Sequence, residues 1–72
     1  MKLTGRVAYR DLEGGVWVLE GDDGRTYQLD GGDRHLKQDG KRVRADGDLK
    51  NQQLSIQMAG PIFRVKSYQI LD

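Results

Sequence analysis

The sequence contains no cysteine, one proline and one histidine among its 72 residues. Without cysteine no disulfide can form, and His35 alone cannot build a zinc site. The cross-links that usually stabilise a very small domain are therefore missing. A chain of this length buries only about 60% of the surface that its unfolded form exposes, so its core must be small. We therefore expect a single domain over residues 1–72, stabilised by a well-closed sheet.

Long apolar runs and an excess of one charge are missing as well. No stretch approaches the ~18 apolar residues of a membrane span. Twelve Lys and Arg against eleven Asp and Glu give a formal net charge of +1, far from the basic balance of a dedicated nucleic-acid binder. The chain as given predicts a cytoplasmic location, or the cell envelope if a leader has been removed.

Ten glycines and short alternating apolar runs predict an all-β domain of short strands and tight turns. The first strand is expected over residues 2–10, with Leu3, Gly5, Val7 and Tyr9 on its inward face. The second, over residues 16–20, contains four apolar residues in succession. Alternation alone therefore does not say which face Trp17 occupies.

The turn after the second strand decides the position of Trp17. A two-residue turn would place Trp17 outside, whereas a three-residue bulged loop ending in Gly24 would pair Leu19 with Tyr27 and place Trp17 inside. Glycine at the third loop position favours the bulged loop, and aspartate adopts the left-handed conformation less readily than asparagine does. The core-facing residues of this hairpin are then Trp17, Leu19, Tyr27 and Leu29, and the outward-facing ones are Val16 and Val18.

Residues 31–40 are the one segment with helical features. Asp33 suits an N-cap, Leu36 is a single apolar anchor and Gly40 suits a left-handed C-terminal stop. These features predict a helix of about two turns at most, which would plug one end of a barrel.

The second half of the chain predicts three more strands. Residues 41–59 alternate as if they formed a hairpin with its turn at Asn51 and Gln52. The expected pairs are Leu49 with Leu54, Gly47 with Ile56 and Ala45 with Met58. After a break at Gly60 and Pro61, residues 62–71 predict a closing strand whose apolar parity changes midway. Either a bulge near Lys66 and Ser67 or burial of both faces would explain the change.

This order of elements predicts a small antiparallel OB-type barrel of five or six strands with one short helix. Closure would also remove the exposed edges of a flat sheet. The alternative is an SH3-like barrel, in which residues 33–38 form only a loop or a 3₁₀ turn. The predicted core comprises Leu3, Val7, Leu19, Tyr27, Leu29, Leu36, Val43, Ala45, Leu54, Ile56 and Met58, joined by Trp17.

Several motifs resemble an uncharacterised family of small bacterial domains. They are Asp11-Leu12-Glu13-Gly14-Gly15-x-Trp17, Gly21-Asp22-Asp23-Gly24-x-x-Tyr27, Gly40-x-Arg42-Val43-Arg44 and Ser55-Ile56-x-Met58-x-Gly60. The family pattern reads DLEGGFWG, GDDG, YDP, GLRVRF and SIHMWGTPV. The resemblance implies an OB-like β-barrel, in some members behind a secretion or lipoprotein leader, and implies no activity or ligand. This sequence departs from the pattern at residues 28–30 and 59–61.

The sequence offers no catalytic constellation. His35 has charged neighbours and is predicted to be a surface residue. The acidic runs at Asp22-Asp23-Gly24 and Asp30-Gly31-Gly32-Asp33 lack the spacing of a calcium loop and are explained by turn and capping chemistry. We expect no enzyme activity, no catalytic residue, no metal and no cofactor.

The sequence therefore predicts a binding module, with another protein as the expected partner. A single-stranded nucleic acid is the alternative. Its bases would stack on Tyr9, Trp17, Tyr27, Phe63 or Tyr68. Its phosphates would contact Arg6, Arg10, Arg25, Arg42, Arg44, Arg64 and Lys66. Carbohydrate or another envelope ligand follows from fold analogy alone. The candidate binding surface comprises Arg6, Arg10, Leu12, Val16, Val18, Thr26, Gln28, Arg42 and Arg44. A buried Trp17 and a mixed-charge surface would favour the protein partner.

Overall fold

A computed structural model describes residues 1–11, 14–50 and 60–71. These residues form five strands, β1 (Lys2–Arg10), β2 (Val16–Gly21), β3 (Thr26–Asp30), β4 (Arg42–Lys50) and β5 (Ile62–Ile70). The strands close into a barrel in the order β1, β2, β3, β5, β4, with β4 pairing back onto β1. The all-β barrel is confirmed. The expectation of a wholly antiparallel sheet is wrong at one place, because β3 and β5 run parallel.

The hairpin of β2 and β3 has the bulged three-residue loop. Leu19 pairs with Tyr27, and the Gly21 amide donates to the Arg25 carbonyl at 2.7 Å. Gly24, the last loop residue, has a φ of 83°, the left-handed conformation that the loop requires. Trp17 consequently faces inward, where it is half-buried and packs against the core.

A bulge in β5 explains the change of apolar parity in that strand. Asp46 of β4 pairs with Ser67, but the next residue, Gly47, pairs with Val65, so Lys66 is the extra residue. An extra unpaired residue shifts the alternation by one, so each later side chain of the strand points to the opposite face from the one expected. Phe63 and Val65 before the bulge and Tyr68 and Ile70 after it therefore all contact the core.

The segment between β3 and β4 forms a single turn, so the predicted helix is wrong. Asp33 does cap the turn, since its Oδ1 accepts the amides of His35 at 3.0 Å and Leu36 at 3.3 Å. The helical path then ends, because the Gln38 amide donates to the carbonyl of Leu36 at 2.9 Å. Leu36 is nevertheless fully buried, as expected of the anchor.

The same segment seals the edge of β1 that β4 does not cover. β4 pairs with β1 only as far as Arg6. Beyond it, the Val7 amide donates to the Lys41 carbonyl at 2.8 Å, and the Gly40 amide donates to the Val7 carbonyl at 2.7 Å. Gly40 has the expected positive φ of 89°. The loop thus continues the ladder and closes the barrel where the strands alone would leave a gap.

Ala45 and Gly47 do not have the partners that the predicted hairpin of residues 41–59 gave them. Ala45 has Leu3 of β1 on one side and Tyr68 of β5 on the other. Gly47 pairs with Val65 and donates its amide to the Met1 carbonyl at 2.9 Å. Neither has an edge left for the expected partners. Those partners, Met58 and Ile56, lie outside the described residues, as do Leu54 and the strand that was predicted to contain all three.

Every predicted core residue that the structure describes is buried, except Trp17, which is half-buried. The buried residues are Leu3, Val7, Leu19, Tyr27, Leu29, Leu36, Val43 and Ala45. The fully buried Phe63 was missed; its ring meets that of Tyr27 edge to face, with centroids 6.4 Å apart. A second, smaller cluster outside the barrel wall was also missed. It consists of Ala8, Val16 and Val18.

Candidate binding surfaces

The outward face of β2 is not the exposed apolar surface that the sequence predicts. Val16 and Val18 do point away from the core, but they are only 6% and 0% exposed. They form the small outer cluster with Ala8, which lies opposite Val18 on β1. The prediction of an exposed valine pair is therefore wrong, since alternation identifies the face of a side chain and not what covers it.

Most of the predicted basic residues already have partners. Arg10 forms an ion pair with Glu20. Arg42 donates to both carboxylate oxygens of Asp22, at 3.2 and 2.9 Å. Arg6 donates to the Gly40 carbonyl at 3.2 Å. Paired charges of both signs therefore cover this part of the barrel.

The same pairing continues onto β5. The Arg64 Nε lies 3.5 Å from Asp30 Oδ2, and the Lys66 ammonium lies 3.0 Å from Asp48 Oδ2. Of the other candidates, Thr26 is exposed, Gln28 is half-buried, and Leu12 lies outside the described residues. The predicted surface is thus not one continuous patch.

An open groove lies on the outward side of β1, β4 and β5 and includes Arg44, the remaining candidate. Its volume is about 290 Å³, and it is lined by Lys2, Arg44, Asp46, Ser67, Tyr68 and Gln69. The sequence reasoning did not place Ser67 and Gln69 there, because their outward facing depends on the bulge at Lys66.

Only one of the aromatic residues presents a large exposed area. Tyr27 and Phe63 are buried, and Tyr68 is half-buried with its hydroxyl bound to Asp33. Tyr9, which was predicted to face inward, is 46% exposed. Its ring meets Trp17 edge to face, with centroids 5.2 Å apart. The pair lies where β1 ends and the glycine-rich loop begins.

Local packing holds the exposed Tyr9 in place. A Cβ added to Gly15 would overlap the Tyr9 hydroxyl, so Gly15 lies directly against the ring. The Tyr9 amide donates to Asp39 Oδ1 at 3.1 Å. Tyr9 is therefore fixed from the Gly15 side and from the Asp39 side, with part of its ring open to solvent.

The two acidic runs serve the turns in which they lie. Asp23 Oδ1 accepts the Arg25 amide at 2.9 Å, and its Oδ2 accepts the Tyr27 hydroxyl at 2.7 Å. Asp33 caps its turn and also accepts the Tyr68 hydroxyl. Residues 1–11, 14–50 and 60–71 contain no group of three His, Asp or Glu side chains that could hold a metal. The His35 side chain is 70% exposed, as predicted.

These hydrogen bonds predict a stability that falls at both ends of the pH scale. Bonds from the Arg25 amide and the Tyr27 hydroxyl lower the pKa of Asp23 below 3.8. The bond to Asp23 in turn raises the pKa of Tyr27 above 10.0. Stability present above pH 3.8 is therefore lost as the pH falls below it, and stability present below pH 10.0 is lost as the pH rises above it.

The test compares melting temperatures across that range. We expect a plateau from about pH 5 to about pH 9 and a decline on either side. Asp23→Asn should reduce both declines, and Tyr27→Phe should remove the contribution of that hydroxyl to the alkaline one. Profiles of Asp23→Asn and the wild type with the same shape would contradict this assignment. Asp22, whose pKa is lowered by its hydrogen bond to Arg42, would still contribute to the acid decline of every variant.

The described residues thus define a small closed β-barrel domain with ion-paired charges and one exposed tyrosine packed against a half-buried tryptophan. The family model described as "Protein of unknown function (DUF5818)" matches residues 4–62, and the chain belongs to this family. This agrees with the resemblance seen in the sequence motifs. No curated protein and no solved structure matches the chain.

Proposed function

We propose that this domain is a non-catalytic OB-type barrel that binds another protein through the end bearing Tyr9, Trp17 and the loop of residues 11–15. The OB type is supported by the closed five-stranded sheet and by the insertion of β5 between β3 and β4. Binding rather than catalysis is favoured because most of the described acidic side chains are engaged in turns, ion pairs or hydrogen bonds to the backbone.

The exposed Tyr9, packed against Trp17, carries the proposal. Tyrosine and tryptophan are enriched in protein interfaces, where they bury a large area with few rotatable bonds. Tyr9 offers nearly half of its surface, and Trp17 and Gly15 hold its ring in place before any partner arrives. A rigid ring loses little entropy on binding, which favours affinity.

The charges around Tyr9 favour a protein over a nucleic acid. Asp39 lies against the Tyr9 backbone, and the neighbouring Arg10 is bound to Glu20. A polyanion stacking on Tyr9 would meet the Asp39 carboxylate, and to bind Arg10 it would have to break the ion pair with Glu20. A protein with charges of both signs would not. Single-stranded nucleic acid therefore remains the second candidate, supported by the aromatic pair alone, and carbohydrate the third, supported only by fold analogy.

The partner interaction can be tested with one variant and one matched control. Affinity capture from an extract of the source cells, followed by calorimetry with the purified partner, should show that Tyr9→Ser weakens binding by about 30-fold, a typical hot-spot effect. Leu71→Ser removes an apolar residue that is 39% exposed and should leave affinity unchanged. Amide NMR spectra verify that both variants fold. Equal affinities for wild type and Tyr9→Ser would overturn the proposed surface.

The nucleic-acid alternative needs a separate titration. A short single-stranded oligonucleotide is added to labelled protein at low salt and again at higher salt, which screens non-specific phosphate contacts. We expect shifts that are weak, scattered over arginines and lost at the higher salt. Shifts that cluster on β2 and β3 and persist would instead establish the nucleic-acid function.

A further inference from the structure

We infer that the groove on the outward side of β1, β4 and β5 binds an oxyanion, the carboxylate or phosphate group of a small ligand. The inference is independent of the proposed protein interface, because none of the lining residues belongs to the end of the barrel bearing Tyr9 and Trp17. The lining residues are Lys2, Arg44, Asp46, Ser67, Tyr68 and Gln69.

Arg44 is the centre of the inferred site. It is exposed, and its neighbours across the sheet are Thr4 on β1 and Gln69 on β5. Neither neighbour carries a charge, and Arg44 forms no ion pair with any described residue. A guanidinium presents five donors in a planar fork that matches the oxygens of a carboxylate or phosphate.

Four other outward cations of the strands already form ion pairs, which distinguishes Arg44 from them. Arg10, Arg42, Arg64 and Lys66 each contact a carboxylate. An anion attracted to any of them must displace a carboxylate that is already in place. At Arg44 it would displace no carboxylate of the described residues, so binding there costs less.

The rest of the lining suits a single anionic group. Lys2 supplies a second cation. The one acid of the lining, Asp46, lies 3.4 Å from the Met1 amino nitrogen, which offsets its charge. Ser67 lies opposite Asp46 on β5 and offers a neutral hydroxyl donor. The Tyr68 hydroxyl already donates to Asp33 and contributes no free donor.

The shape of the groove limits the size of the ligand and its affinity. A volume of about 290 Å³ is at the small end of the range for ligand sites. The groove is open, so water screens the charges, and millimolar affinity is the expectation for an isolated ion.

The test is an amide NMR titration with inorganic phosphate at constant ionic strength, maintained with chloride. We expect saturable shifts at Arg44, Ser67 and Gln69. Arg44→Gln should weaken binding about tenfold, because it removes a charge-assisted hydrogen bond. Arg64→Gln, which removes an ion-paired arginine from the same sheet, should leave phosphate binding unchanged. A parallel titration with acetate distinguishes carboxylate from phosphate as the preferred group.

Two results would overturn the inference. One is a set of shifts that stays linear to high phosphate concentration in the wild type. The other is the same phosphate affinity in Arg44→Gln as in the wild type. If Arg44→Gln perturbs the amide spectrum as a whole, Lys2→Gln takes its place, with the same direction of effect expected. The protein-binding test at Tyr9 is unaffected by any of these outcomes, so the two proposals can fail separately.

Discussion

Replacing Phe63 with alanine is expected to lower the free energy of unfolding by about 3 to 5 kcal/mol. The side chain is 0% exposed and is the largest fully buried one among the described residues. Truncation would leave a cavity beside Leu29, its cross-strand neighbour, and would remove the edge-to-face contact with Tyr27. Because small domains have only about 5 to 15 kcal/mol of total stability, much of the protein should be unfolded at elevated temperature.

Urea denaturation measures this effect, with Phe63→Leu as the matched control. Leucine keeps most of the apolar volume, so its cost should be below about 1.5 kcal/mol if the neighbours repack. The slope of unfolding free energy against urea should not change, since the fold is the same. An unmoved midpoint in Phe63→Ala would mean that this ring is not at the centre of the core.

Replacing Gly47 with alanine is expected to cost about 3 kcal/mol, the upper part of the usual range for overpacking. A Cβ at this position would overlap the backbone carbonyl oxygen of Arg64, and backbone cannot rotate away as a side chain can. Gly47 lies opposite the bulge in β5, where the partner strand turns toward it. The added methyl group would therefore push the two strands apart.

Gly24→Ala separates this steric effect from the conformational one. Gly24 has a φ of 83° but nothing within 4 Å of a new Cβ, so its replacement costs only the left-handed strain, about 1 kcal/mol. Gly47 shows the opposite combination, overlap without a positive φ. Thermal unfolding of both variants should rank Gly47→Ala as the more damaging, and the reverse order would contradict the close strand approach.

The strands could be predicted well because their local chemistry is decisive. Gly24 specified the loop type, the loop specified the register of β2 and β3, and the register placed Trp17 inside. The parity change in residues 62–71 likewise narrowed the possibilities to a bulge or to two covered faces. The bulge at Lys66 is the one that the structure shows.

Strand pairing was harder to predict, because an alternating pattern shows which side chains share a face of the sheet and does not show which strand lies beside them. Val43 and Ala45 are buried just as a hairpin with residues 51–59 would require, yet they pair with β1 and β5. The failed helix has a different cause. Asp33 and Gly40 gave correct start and stop signals, but Leu36 was the one apolar residue between them, too little to stabilise a second turn.

The candidate site depended on long-range contacts that composition does not reveal. Arg42 and Asp22 are 20 residues apart in sequence, and their pairing removed one expected ligand contact. Arg44 is also an arginine and lies on the same strand as Arg42, yet its cross-strand neighbours are neutral. The alternation of β1 places Tyr9 on the inward face, but Tyr9 lies near the end of the strand and is exposed there.

The insertion of β5 between β3 and β4 has a consequence for synthesis on the ribosome. Until β5 emerges, one edge of β3 and one edge of β4 expose unpaired amides and carbonyls, which can recruit strands from other chains. Folding domains generally form as units during synthesis. Here the unit cannot be completed by its first four strands, so we expect the nascent chain to need protection by chaperones until Ile70 has left the exit tunnel.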